Sequence, residues 1–164
     1  MNIVLIGMPG CGKSSVGKRL AGLRNMRFVD TDMLIEKKTG KNLQRIIDEV
    51  GNAEFLRIEA EAIESLECEN CVVASGGSAV LTVEGEKALG RLGVLVYLRH
   101  SCEEIESRVK NLSTRGVAMD VGQTFRDVYN YRVGIYERAA DIIVDCEKLS
   151  IYETAKLIIE KIGT

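Results

Sequence analysis

The apolar run Ile3-Val4-Leu5-Ile6 leads directly into Gly7-Met8-Pro9-Gly10-Cys11-Gly12-Lys13-Ser14-Ser15. A glycine, four variable residues and then Gly-Lys-Ser is the pattern of a phosphate-binding loop, and it carries meaning only when a strand precedes it and a helix follows. Both conditions hold, because residues 3–6 read as a strand and the stretch from Val16 onward reads as a helix. The glycines let consecutive backbone N–H groups turn toward one anion, and the helix start brings the positive end of its dipole to the same place. Gly10, Cys11, Gly12, Lys13, Ser14 and Ser15 are therefore the candidate nucleotide-binding residues. Lys13 would lie along the β- and γ-phosphates of ATP. Ser14 would offer its hydroxyl oxygen to Mg²⁺, a hard cation that prefers oxygen ligands.

With 164 residues, 46% of them hydrophobic, the chain is sized for a single domain, 1–164, with a core of its own. A net charge of −2 with 28% charged residues argues against a broad basic footprint for nucleic acid or an anionic membrane. No basic segment with an apolar signal core precedes the first strand, and no apolar run reaches the length of a membrane span. The expectation is a cytoplasmic monomer whose partners are small molecules. Five cysteines, an odd number, suit a reducing compartment better than a disulfide framework. Cys68-Glu69-Asn70-Cys71 has redox or zinc spacing, but without a second pair, and with His100 as the one histidine, a structural role is preferred. Cys11 sits among N–H donors near a helix start, where thiols become reactive, and its oxidation would block the phosphate site.

Apolar runs alternate with amphipathic ones along the chain, the mark of repeated strand–helix units and a parallel sheet. Strands are predicted at residues 2–6, 27–29, 71–74, 95–98 and 142–144, each short and apolar enough to be covered by helices on both faces. Helices are predicted at 13–24, 31–38, 43–50, 52–66, 83–92, 102–111, 124–140 and 150–162. Ser101 with Glu104, and Ser150 with Glu153, have the spacing of capping boxes. Ile151, Ala155, Ile158, Ile159 and Ile162 form a core-packing stripe, and acids such as Glu36, Glu103 and Glu104 read as decoration of solvated faces. Residues 112–123 lack periodicity and hold two glycines and Arg115, which reads as a mobile lid.

Phosphoryl transfer needs an aligned acceptor, Mg²⁺ and positive charge at the spreading oxyanions. Asp30-Thr31-Asp32 closes the second strand, read as lying beside the first, at the edge where open parallel sheets place ligands. One acid could serve the metal's shell and the other an acceptor hydroxyl, while helix capping would account for only one of them. Ser75-Gly76-Gly77-Ser78 is either a close-approach loop or an ordinary turn. Arg57, Arg108 and Arg132 are each either a two-pronged anion contact or a surface residue.

Taken together, the phosphate loop, residues 28–36, Thr39-Gly40, the stretch from Phe55 to Glu59, Gly76-Gly77, a lid arginine and Arg132 four residues before Tyr136 resemble, in order and spacing, the shikimate kinases. The resemblance implies an α/β, three-layer α/β/α sandwich of the P-loop kinase type, with a five-stranded parallel sheet, a substrate-binding helical region near 31–66 and a lid near 112–123. It implies ATP-dependent phosphorylation of a hydroxyl of shikimate, with Mg²⁺ as cofactor. By position, Lys13, Asp32 and Arg115 are implied as catalytic, Ser14 and Asp30 as metal-holding, and Arg108 and Arg115 as nucleotide-binding. Asp32, Gly76, Gly77 and Arg132 would hold the acceptor, Arg132 through its carboxylate.

The chain departs from that pattern at the carboxylate clamp. The family's arginine after the phenylalanine is here Leu56, with Arg57 one residue later. Arg57 is the candidate to replace it, although one step along a helix turns a side chain by about a hundred degrees. Ser78 stands for a third glycine and Gly116 for the lid's usual proline, and the proline before Tyr131 is missing. Another small hydroxy acid or polyol is therefore an alternative acceptor, and a nucleotide-binding regulatory module is the alternative outside enzymes.

Overall fold

The computed structural model describes residues 1–109 and 120–163. Its strands are β1 (Ile3–Ile6), β2 (Arg27–Asp30), β3 (Cys71–Ala74), β4 (Val94–Arg99) and β5 (Ile142–Asp145). They form one parallel sheet in the order β2-β3-β1-β4-β5. Every residue of β1 and β3 is buried, as central strands covered on both faces must be. The helices are α1 (Lys13–Arg24), α2 (Thr31–Thr39), α3 (Leu43–Val50), α4 (Asn52–Glu64), α5 (Val83–Leu92), α6 (Cys102–Arg108), α7 (Phe125–Ala139) and α8 (Ile151–Ile162). Helix α1 packs with α8, while α5 packs with α4 and with a 3-10 turn at Ala79–Leu81.

The strand order corrects one expectation. Strand β2 does not lie beside β1; β3 separates them. The reason is visible in burial, since Arg27 is exposed and the rest of β2 only half-buried, which suits an edge and not the centre. The register nevertheless keeps the carboxyl ends level, because Ala74 pairs with Leu5 on one side and with Asp30 on the other. The end of β2 therefore still faces the loop that follows β1.

Several predicted ends move for local reasons. Helix α4 stops at Glu64 because the Leu66 N–H turns back to the Ile63 carbonyl, tightening the last turn. Helix α6 stops at Arg108, where Val109 leaves the helix and buries itself over Gly10. Strand β4 gains Val94 and Arg99. At α8 both halves of the Ser150–Glu153 capping box form, and α7 has an unforeseen one from Thr124 and Asp127. At α6 only half forms: Ser101 accepts from the Glu104 N–H, but the Glu104 carboxylate turns to His100 and Arg108 instead. Glu104 is thus no solvated decoration, and neither is Glu36, whose Oε1 accepts from the Leu43 N–H at 3.1 Å and ties α2 to α3. In α8 the stripe holds at Ala155 and Ile158, whereas Ile151 in the first turn is 49% exposed.

Two clusters make the core. The larger surrounds the sheet, and a smaller one joins Ile35, Leu43, Ile46, Ile47 and Phe55 across α2, α3 and α4. All five cysteines are free thiols, with Cys71 fully buried in β3. Among the described residues no cluster of His, Cys, Asp and Glu could hold a metal by itself, and no helix is long and apolar enough to cross a membrane. Arg115, and with it most of the lid predicted near 112–123, lies outside the described residues.

At the end of the sheet away from the loop, Asn2 is 8% exposed and satisfies three backbone groups. Its Nδ2 donates to the Cys68 and Leu92 carbonyls, both at 2.9 Å, and its Oδ1 accepts from the Cys71 N–H at 3.0 Å. Asn2→Ala removes the side-chain partner of all three groups at once. It should lower stability by about 2–4 kcal/mol, read from urea unfolding midpoints, with Michaelis constants unchanged.

Candidate active site

The loop between β1 and α1 is shaped by glycine. Gly10 has φ 83°, a left-handed conformation, and a Cβ there would stand 2.3 Å from Val109 Cγ2. Lys13, in the first turn of α1, is only 8% exposed. Its ammonium donates to the Gly7 carbonyl at 2.8 Å and to the Met8 carbonyl at 2.9 Å, so the charge is held across the mouth of the loop. The Cys11 backbone belongs to the loop, but its side chain is 1% exposed and packs into the main core. That placement removes the thiol from solvent and from the cleft, against the expectation of an oxidation-sensitive cysteine.

Asp30 caps a helix with one carboxyl oxygen and reaches the phosphate loop with the other. Its Oδ1 accepts from the N–H groups of Asp32 and Met33, at 3.1 and 3.2 Å, and so caps α2. Its Oδ2 accepts from Ser14 Oγ at 2.6 Å. Two hard oxygens from two elements thus meet beside the phosphate loop. A divalent cation that keeps most of its waters and takes one or two protein oxygens fits such a donor set. Thr31 between the acids is buried and accepts from the Gly76 N–H at 3.0 Å, which clamps the start of α2 to the loop after β3.

A cleft of about 570 Å³ opens from the phosphate loop across the ends of β2 and β3. Gly10, Gly12, Lys13, Ser14, Ser15 and Arg108 line its donor side, and Asp30, Asp32, Gly77 and Arg132 are among the residues that line the rest. Arg132 reaches it from α7 and is 2% exposed. One turn on, Tyr136 is hydrogen-bonded to Arg132, donates its hydroxyl to the Gly77 carbonyl and stacks on Tyr97 with ring centroids 5.2 Å apart. Desolvation pushes the Tyr136 hydroxyl pKa upward, so it stays a donor. Arg108, at the last turn of α6, pairs with Glu104, which also holds His100 Nδ1 at 3.0 Å.

Arg57 is a predicted site residue that the structure turns away from the cleft. Its side chain is 58% exposed and pairs with Glu54 and Glu61 along the outer face of α4. Phe55 and Glu59 face inward instead and both line the cleft. Gly76 lies behind the cleft: a Cβ on it would meet Glu59 Oε1 at 1.8 Å and Asp32 Oδ1 at 2.7 Å.

Glu59 is therefore the prominent site residue that sequence reasoning passed over, having entered only as the end of a motif. A signal existed, because Phe55, Glu59 and Ile63 fall at i, i+4 and i+8 on one helix face. That face is buried throughout, and Glu59 is 1% exposed. A glutamate in an apolar stripe is either paired or neutral. Glu59 Oε2 accepts from Ser78 Oγ at 2.5 Å. Burial pushes its pKa up to about 8; the Ser78 bond, Arg132 and Lys13 pull it back, and Asp32 adds to the rise. Asp32 is raised to about 6, first by burial, with Lys13 opposing and Asp30 and Glu36 assisting. Both carboxyl groups are thus held above the ordinary carboxylate range within one cleft, the setting in which acid–base groups are found.

Comparisons with known proteins agree with this geometry. The family model for shikimate kinase matches residues 9–163. A shikimate kinase of Pelotomaculum thermopropionicum is 38% identical over 161 residues, covering 96% of this chain and 93% of that protein. Among solved structures, the shikimate kinase of Acinetobacter baumannii in complex with shikimate superposes with a TM-score of 0.91 at 29% identity, covering 98% of this chain and 92% of that one. The enzyme of Aquifex aeolicus gives 0.85 at 30% identity, covering 99% and 96%.

The raised carboxyl pKa values have a consequence for stability. The folded chain keeps a proton on Glu59 that the unfolded chain releases near 4.5, so from there to about 8 the native state binds more protons. Stability must then fall as pH rises through that window. Urea unfolding at pH 5 and pH 9 should show wild type losing a few kcal/mol while Glu59→Gln, which cannot ionise, loses distinctly less.

Proposed function

This chain belongs to the shikimate kinase family, and from that premise we propose that it transfers the γ-phosphoryl group of ATP to a hydroxyl of shikimate. The observation that carries the reading is the shared cleft. Lys13 of the phosphate loop, Asp32 of α2 and Arg132 of α7 open onto the same space, so a donor and an acceptor can meet there. A regulatory nucleotide module has no need for the last two.

In the proposed reaction ATP lies along the loop, with its phosphates on the backbone N–H groups at the start of α1 and on Lys13. Arg108 flanks the base. Ser14 and Asp30 would hold Mg²⁺, which supplies charge neutralisation at the phosphate oxygens. Asp32 accepts a hydrogen bond from the acceptor hydroxyl and aligns its oxygen with the γ-phosphorus. As the new P–O bond forms and the bond to ADP breaks, the hydroxyl proton passes to Asp32, whose pKa near 6 suits a base that works at neutral pH. Lys13 stays fixed on the Gly7 and Met8 carbonyls while charge spreads over the equatorial oxygens, so its field costs no reorganisation. Arg115, outside the described residues, is assigned by the family resemblance to close over the phosphates.

On the acceptor side, Arg132 would take the substrate carboxylate with two N–H groups, and Gly77, which lines the cleft, would back the ring, while Gly76 behind it makes room for Asp32 and Glu59. Leu56 brings no charge and Arg57 points away, so the clamp rests on one arginine. A missing charge-assisted contact is worth about 1.5–3 kcal/mol, or roughly ten- to a hundredfold in affinity. This favours a weak grip on shikimate, or a second reading in which another small hydroxy acid or polyol is the acceptor. The enzyme is proposed to act as a cytoplasmic monomer.

A panel of hydroxy acids and polyols, assayed for acceptor-dependent ATP consumption, separates these readings. Shikimate should give the largest stimulation, and Asp32→Asn should cut turnover at least a hundredfold while ATP affinity changes less than threefold. Strong stimulation by a different acceptor would replace the substrate. No stimulation by any acceptor, with ATP still bound tightly, would leave only the regulatory module.

A further inference from the structure

Glu59 is buried, lines the cleft and has no task in the steps above. Its Oε1 and Asp32 Oδ1 are both cut off from water and have no hydrogen-bond partner. Both press on the same point, the place a Gly76 Cβ would occupy, at 1.8 and 2.7 Å. Two acceptor oxygens left together in a dry place lack only a donor between them. The groups that face Glu59 are Lys13 of α1, Asp32 of α2, Ser78 after β3, and Arg132 and Tyr136 of α7. The Ser78 hydroxyl donates to Oε2, the Lys13 ammonium to the Gly7 and Met8 carbonyls with Cys11 Sγ at 3.8 Å, and the Tyr136 hydroxyl to the Gly77 carbonyl, while Arg132 bonds Tyr136. Leu56, three residues earlier on α4, carries no charge, and Arg57 is turned to the outer face. None of these supplies a hydrogen to the orphaned pair.

We propose that Glu59 is the positioning residue of the acceptor half: it keeps a proton on Oε1 and donates it in a hydrogen bond to Asp32 Oδ1, leaving Asp32 Oδ2 to take the acceptor hydroxyl. The inference rests on the reading of Asp32 as the group that receives that hydroxyl. Burial holds the Glu59 pKa near 8, so the proton is in place at neutral pH. A carboxylic acid kept neutral by an apolar site is a good donor to a neighbouring carboxylate. Gly76 is part of the device, because any side chain there would fill the space in which the two oxygens meet. When Glu59 ionises, a second negative charge appears beside Asp32 in a dry setting, the shared hydrogen is lost and the two carboxylates repel.

The test is kinetic. Glu59→Gln keeps a neutral donor toward Asp32 and an acceptor for Ser78, whereas Glu59→Ala removes both. With shikimate and ATP at pH 7, Glu59→Ala should lose about ten- to a hundredfold in kcat, the worth of a hydrogen bond to a charged group, with the KM for ATP unchanged. Glu59→Gln should recover most of that, coming within about fivefold of wild type. The wild-type kcat should fall on an alkaline limb near pH 8 that Glu59→Gln lacks. A Glu59→Gln enzyme as impaired as Glu59→Ala, or one that keeps the same alkaline limb, overturns the proposal. Should Glu59→Ala fail to fold, the pH profile of Glu59→Gln against wild type decides alone. Wild type that turns over no acceptor at all overturns the kinase reading and this proposal with it, and is told apart from the other failures because no variant is needed to see it.

Discussion

The Asp30 carboxylate is the joint on which the site depends. One of its oxygens caps α2, which fixes where Thr31, Asp32 and Glu36 point; the other accepts from Ser14 on α1, which fixes the phosphate loop against β2. A group that only capped would leave the loop and the acceptor acid free to drift relative to each other. A group that only bonded Ser14 would leave the first N–H groups of α2 unpaired. Because β3 lies between β1 and β2, backbone ladder bonds do not join the two halves directly, and this side-chain bridge together with the Thr31–Gly76 bond does so. Positional error of a fraction of an ångström between donor and acceptor costs rate steeply, so a short link of this kind has mechanistic value.

The site is built at the expense of stability. Asp32 and Glu59 are carboxyl groups held where water cannot solvate them well, with two oxygens unpaired in the absence of a shared proton. An apolar pair of similar volume would be easier to fold around. Such local violations of folding rules concentrate at functional sites, and the surrounding structure compensates. Here the compensation comes from a well-packed frame: fully buried β1 and β3, the Tyr97–Tyr136 stack beneath Arg132, and the small α2–α3–α4 core that supports Asp32 from the other side.

Much of this was legible in the chain itself because its signals are local. The phosphate loop is one contiguous stretch, the capping serines precede their helices, and each strand is an apolar run bounded by turns. Strand order is not local, and the placement of β2 beside β1 failed for that reason: periodicity says that Arg27–Asp30 is a strand, while only its polar ends hint at an edge. Side-chain direction on α4 is local too: the i, i+4 spacing of Phe55 and Glu59 argues against Arg57, the candidate taken from the family pattern, and Arg57 does lie on the outer face. What the chain could not disclose is which oxygen of Asp30 does which task, or that Glu59 and Asp32 meet behind Gly76, since residues 30, 59 and 76 come together only through the sheet.

The same geometry bears on why Leu56 is tolerated. An arginine at that place would stand one helical turn from Glu59, near enough to draw its proton away and turn it into a paired carboxylate. The pocket would then gain a cation for the substrate and lose the neutral donor beside Asp32. In the proposed arrangement leucine there leaves Glu59 its proton and Arg132 as the single arginine for the acceptor's carboxylate, while Ser78 donates to the second carboxyl oxygen of Glu59. The two arrangements are alternative solutions to the same electrostatic requirement, that a second buried acid near Asp32 be either paired or neutral. A single substitution on α4 therefore changes substrate grip and the protonation of the acceptor pocket together, and neither can be interpreted without the other.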